Sequence, residues 1–142
     1  MGRYVTPELL LRGLSEEHQA QLTDDAGTGE ADAAVLEEAI ADAEAEADAY
    51  VQAVYPLPLP SVPRLLTRIV IDLAVWHLFG RRQLHDDAVE ARHKAAVKLL
   101  ERIAAGEIAL GIAAPPAKAT GSAATNKTDA DRLFGRDVLD RY

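Results

Sequence analysis

Four prolines fall within eight positions in the stretch VYPLPLPSVP (Val54–Pro63), between two long segments patterned like helices. No helix can run through them. Proline lacks the N–H that a helix interior needs, and its ring pushes the preceding residue out of helical backbone. The chain must therefore be built from separate elements meeting at a stiff joint. Pro60 and Pro63 form a Pro-x-x-P, the spacing found in ligands of aromatic-lined grooves. The simpler reading is a rigid connector that sets the angle between two helices, since Pro63 stands where the second would begin.

Upstream of the joint, VTPELLLRGL predicts a short helix with Thr6 as cap, Pro7 in the first turn and Gly13 as its end. SEEHQAQL predicts a second, capped by Ser15 and carrying Glu16 and Glu17 in its first turn. The glycine-and-acid loop TDDAGTGEAD leads into a long helix, ADAAVLEEAIADAEAEADAYVQAVY. There Leu36, Ile40, Ala43, Ala47, Tyr50 and Val54 recur every three or four residues as one apolar face. Glu37, Glu38, Asp42, Glu44, Glu46 and Asp48 cover the rest. No lysine or arginine lies between Arg12 and Arg64, so these carboxylates have no basic partner in their own helix.

Past the joint, PRLLTRIVIDLAVWHLFG is apolar nearly all round, which predicts the central helix, with Gly80 just beyond its end. On that reading Trp76 is buried and Trp76→Ala costs about 3–5 kcal/mol. The segment DDAVEARHKAAVKLLERIAAG predicts a third long helix, capped by Asp86 or Asp87 and stopped by Gly106. Val89, Ala96, Val97, Leu100, Ile103 and Ala104 face inward, and Arg92, His93, Lys94, Lys98 and Arg102 outward. Three apolar periodicities with no alternating strand pattern predict an all-α fold, a small bundle of three long helices preceded by short ones.

From Ala113 to Ala130 the only apolar side chains are alanine and proline, too little to bury, so this is expected to be a linker. Apolar residues return in DRLFGRDVLDRY. The division is therefore a helical domain at 1–112, a flexible linker at 113–130 and a docking segment at 131–142. The last would use Leu133, Phe134, Val138, Leu139 and Tyr142, flanked by Arg132, Arg136 and Arg141.

At 142 residues the chain suits one domain with a tail. Residues 1–62 hold 2 basic and 13 acidic side chains, a balance of −11, while residues 63–142 hold 13 and 10, a balance of +3. Such asymmetry favours electrostatic assembly, within the fold or between copies. No dense basic stripe with interleaved aromatics appears, so a nonspecific grip on nucleic acid is not expected. With no cysteine, disulfides and thiolate-zinc sites are excluded. The start MGRYVTPELL lacks the pattern of a secretory signal. The apolar run Ile69–Phe79 contains Asp72 and His77 and is too short to span a bilayer. A soluble protein, cytoplasmic where it is made, is expected.

The chemical candidates are weak. Aligned as a calcium loop on Asp24, the acidic loop places Gly29 and Asp32 suitably, but Ala26 and Thr28 replace ligands and Val35 stands where a bidentate Glu is needed. A turn with Asp32 capping the long helix is favoured. His18, His77, His85 and His93 show no paired metal-ligand spacing. His77 reads as a hydrogen-bonded core histidine, and Asp72 as the partner of Arg68 one turn earlier. Ser15, Ser61 and Ser122 lack a nucleophile-elbow setting, and no phosphate-cradling loop appears. Neither an enzyme nor a cofactor is expected.

Taken in order, RYVTPELLLRGL, QLTDDAGTGEADAAVLEEAIADAEAEADAYVQAVYPLPL and VPRLLTRIVIDLAVWHLFGRR resemble the Mu-like family of phage and prophage head–tail connector proteins. The resemblance runs from Arg3 to about Leu110 and returns in RLFGRDVLDRY. Family loops tend to be richer in aspartate than Ala26-Gly27-Thr28. The resemblance implies a structural protein of the virion neck, assembled in the bacterial host cytoplasm. It implies a ring of roughly a dozen copies between the portal and a tail-side neck or tail-terminator protein. DNA would pass through without specific binding, and no membrane is involved. On that view Glu37, Glu38, Asp42, Glu44, Glu46 and Asp48 either line the channel or meet Arg92, Lys94, Lys98 and Arg102 of the next copy; a merely solvated acidic face is the equally ranked alternative. The linker, at most roughly 60 Å when extended, would carry the docking segment onto a neighbour; the alternative is that the segment packs back on its own domain as a final short helix. The competing class is a soluble regulatory or calcium-responsive helical module.

Overall fold

Five helices separated by caps and by the proline joint make up the computed structural model, which describes residues 2–112. They are α1 (Pro7–Arg12), α2 (Glu16–Thr23), α3 (Ala33–Val51), α4 (Arg64–Arg81) and α5 (Asp87–Ala104). Among the described residues there is no strand, and the fold is all-α. The expected linker and docking segment, with Arg132, Leu133, Phe134, Arg136, Val138, Leu139 and Tyr142, lie outside the described residues.

Local chemistry sets the helix starts. Thr6 accepts from the Leu9 N–H ahead of Pro7, and Ser15 from the His18 N–H. Asp32 accepts from the Ala34 N–H, and Asp86 from those of Ala88 and Val89. Each side chain satisfies donors that the first helical turn leaves without a carbonyl. At the end of α5 the chain reverses through Gly106 at φ +77°, where an L side chain would be strained. The Gly106 and Glu107 N–H groups close back onto Ile103 and Arg102 carbonyls at 3.0 and 2.9 Å.

Three boundaries differ from expectation. Pro63 occupies the cap position, with no side-chain hydrogen bond, and α4 begins at Arg64. Gly80 lies inside α4 rather than beyond it, because its backbone stays helical and Gln83, at φ +54°, makes the reversal. The Gln83 and Leu84 N–H groups then bond to the Gly80 and Phe79 carbonyls, both at 3.0 Å. Helix α3 stops at Val51, so Val54 and Tyr55 belong to the joint. Tyr55 is buried there, and its hydroxyl accepts from the Leu110 N–H at 3.0 Å, tying the joint to the chain beyond α5. Leu57 and Leu59 pack on the core while Pro56, Pro58 and Pro60 face solvent. The stretch is a connector.

Helix α4 touches both α3 and α5, which also meet each other, and α1 and α2 lie across this bundle. Its buried residues Leu66, Ile69, Val70, Leu73, Leu78 and Phe79 share one core with Ile40, Ala43, Ala47 and Val51 of α3. Val89, Ala96, Leu100 and Ile103 of α5 complete the core. Trp76 departs from expectation: it is only half-buried, and stacks on His93 with ring centroids 4.5 Å apart and planes 15° from parallel. An apolar all-round pattern over-reads burial when one side of a helix stays partly open to solvent.

Candidate functional site

The acidic helix α3 divides its six carboxylates between inside and outside. Glu44 is 5 % exposed and accepts the Tyr4 N–H at 2.7 Å and the Val5 N–H at 3.3 Å. Asp48 accepts from the Tyr4 hydroxyl and pairs with Arg3. Burial, then the Asp48 hydrogen bond, push the Tyr4 phenol well above its ordinary pKa. The strap runs so close that a Cβ on Gly2 would come within 2.6 Å of Ile40 Cγ2 and 2.7 Å of Glu44 Oε1. Glu46 bonds His77 at 3.1 Å, so His77 is hydrogen-bonded as expected, though half-buried rather than within the core. Glu44 is therefore turned away from the surface that an interface or channel wall needs. Glu37, Glu38 and Asp42 remain exposed.

The basic helix is divided in the same way. Arg92 donates from Nε to Asp72 Oδ1 at 2.9 Å, joining α5 to α4. Asp72 thus pairs across the seam instead of with Arg68 in its own helix, because its nearly buried carboxylate faces α5. Lys94 pairs with Glu90 one turn earlier, and Arg102 reaches Glu107 at 3.0 Å. Among the described residues, Lys98 and Arg68 make no ion pair. His93 is half-buried rather than outward, and burial lowers its pKa below the ordinary 6.5, leaving the ring neutral at neutral pH. One grouping was not anticipated: the exposed His85 bonds Asp87 at 2.9 Å and lies 3.6 Å from Glu90. Its signal in the chain was a mixed His-x-Asp-x-x-Glu spacing, not a histidine pair.

The loop before α3 closes on itself. Asp24 accepts the Thr28 N–H at 3.0 Å and the Gly29 N–H at 2.6 Å, and Asp25 holds both Arg81, at 3.0 Å, and Arg82, at 2.7 Å. Asp32 caps α3. These oxygens serve a turn latched to the end of α4 instead of converging on one point. The backbone N–H groups of Gly29 and Thr28 hold Asp24 below its ordinary 3.8, and Arg81 does the same for Asp25. An unfolded chain is protonated first on acidification, so the loop's contribution is complete above 3.8 and lost as pH falls through the lower folded values. Wild type should therefore melt above Asp24→Asn at neutral pH. That gap should close as pH falls below 3.8, as thermal melts at a series of pH values will check.

Residues 4–128 match the family model described as Bacteriophage Mu, Gp36. The chain belongs to the Bacteriophage Mu Gp36 family. It is similar to the Mu-like prophage FluMu protein gp36 of Haemophilus influenzae, at 33% identity over 81 residues, which is 57% of this chain. The match covers 56% of that relative, little more than half its length. The Gp36 match takes in all five helices, and the resemblance to a Mu-like phage family read from the sequence holds. Among the described residues, no helix is long and apolar enough to cross a membrane.

Proposed function

We propose that this Gp36-family chain is a structural protein of the virion neck: a head–tail connector forming a ring between the portal and the tail-side neck or tail-terminator protein. The observation that carries the reading is a phage-family bundle in which the charged side chains of α3 are all acidic, while basic ones outnumber acidic ones on α4 and α5. Glu38 and Asp42 are exposed on α3, and Arg68 and Lys98 on α4 and α5. Head-to-tail association needs two different surfaces that match, and such contacts form a ring where the rotation between copies closes. Acidic side chains facing a channel would repel the DNA backbone and keep it moving. The assembly would form in the host cytoplasm and remain in the virion.

Mass measurement of the full chain, alone and mixed with portal particles, tests this. A complex of roughly a dozen copies with the portal is expected. A chain that stays monomeric and leaves portal particles bare overturns the reading. Removing residues 131–142 is expected to leave the melting temperature unchanged while abolishing attachment to the neighbouring neck component. A truncated chain that still joins heads to tails would exclude the docking role of Phe134 and Leu139.

A further inference from the structure

The seam between α4 and α5 gives one of the charged surfaces a shape. Leu65 from α4 and Ala95 and Leu99 from α5 border a groove of about 300 Å³, with Arg68 beside them. An adjoining hollow of about 290 Å³, bordered by Lys98 and Arg102, continues it along α5. Leu65 and Leu99 are only half-buried. The acid in the groove, Asp72, is already paired with Arg92. The result is an apolar floor under a cationic rim.

The complement lies on the same molecule. Glu38, Ala41, Asp42 and Ala45 are all exposed on α3, at spacings that place them on one face. Neither Glu38 nor Asp42 makes an ion pair or hydrogen bond among the described residues, although Arg81, across a shallow hollow, feels the charge of Glu38. Alanine ends at Cβ, so this face lets another helix approach closely, near the short end of the usual 8–10 Å between axes. DNA would meet the basic rim but has no use for the leucines beneath it. A helix with small residues between carboxylates meets both requirements.

We propose that the α4–α5 groove receives the outer face of α3 from a second copy, setting Glu38 and Asp42 of the entering helix against Lys98 and Arg68. This deepens the ring reading and rests on it. Two unlike surfaces meet, so every pair of copies leaves one of each open for further addition. Exposed charges contribute mainly by selecting the partner and are screened by salt, so the association should weaken as ionic strength rises.

The chain has no cysteine, so introduced thiols have no background. The full chain carrying Ala41→Cys and Ala95→Cys is oxidised at high protein concentration and in portal-bound particles. A ladder of covalent multimers is expected on denaturing gels. Either single variant should stop at a dimer. Adding Arg68→Glu and Lys98→Glu should reduce the ladder at least tenfold, and further adding Glu38→Lys and Asp42→Lys should restore it. Melting temperatures of these surface variants verify that each is folded. If multi-copy assemblies form by mass without a 41–95 ladder, the groove assignment is wrong while the ring reading stands. A ladder indifferent to charge reversal overturns the pairing. If mass shows single copies both in solution and with portal particles, the ring reading fails and this proposal with it.

Discussion

Leu73→Ala is expected to destabilise the protein by about 3–5 kcal/mol, the upper part of the range for a leucine whose cavity cannot collapse. Leu73 is fully buried in the middle of α4, the helix that contacts both of the other long ones. Neighbours from two helices would have to shift together to fill the space. For a domain of this size the loss corresponds to a fall in melting temperature on the order of 15 °C. Calorimetry of the variant beside Trp76→Ala makes the comparison sharper. Trp76 is half-buried and keeps part of its surface in water, so its removal should cost about 2 kcal/mol, less than its size alone implies. If Trp76→Ala proved the more damaging, the inner face of α4 would have to be redrawn.

Glu44→Ala should cost about 3 kcal/mol, by a different mechanism. It leaves the buried Tyr4 and Val5 N–H groups without an acceptor, at about 1–3 kcal/mol for each orphaned donor. Glu44→Gln keeps a carbonyl oxygen in place and should lose roughly half as much, since only the charge assistance disappears. Arg3 is mostly exposed, and its pairing with the same region adds little. Hydrogen exchange would locate the effect, with Tyr4 and Val5 amides losing protection before those of α4. Unchanged melting and exchange in Glu44→Ala would show that the strap is held by apolar packing of Val5 and Leu10 instead.

These two residues differ in how far their roles could be read from the chain. Leu73 sits in an apolar period, and its burial follows from spacing. Glu44 looks, by spacing, like any other member of an acidic face. Its partner Tyr4 lies 40 positions away, and only the docking of the N-terminal strap against α3 identifies it. Asp72 and Arg92, 20 positions apart, repeat the point: the i−4 arginine was the local choice, and the facing helix supplied the actual one. The acidic loop followed suit, since Asp25 finds Arg81 some 56 positions on.

By itself the amino-acid sequence determined the side-chain-capped helix starts, the periodic core, the joint and the all-α class. It also carried the ordered segments by which the family could be recognised. A cap such as Ser15 or Asp86 satisfies donors within three residues, and a core stripe needs only the helical repeat, so both are written locally. The reversal at Gln83 rather than Gly80, and the division of charges between folding and surface, were decided by tertiary structure. A carboxylate takes the partner that packing brings within reach, and packing depends on every helix at once. The total charge of α3 is legible in the chain, but whether Glu38 or Glu44 faces the solvent depends on which neighbours cover the helix.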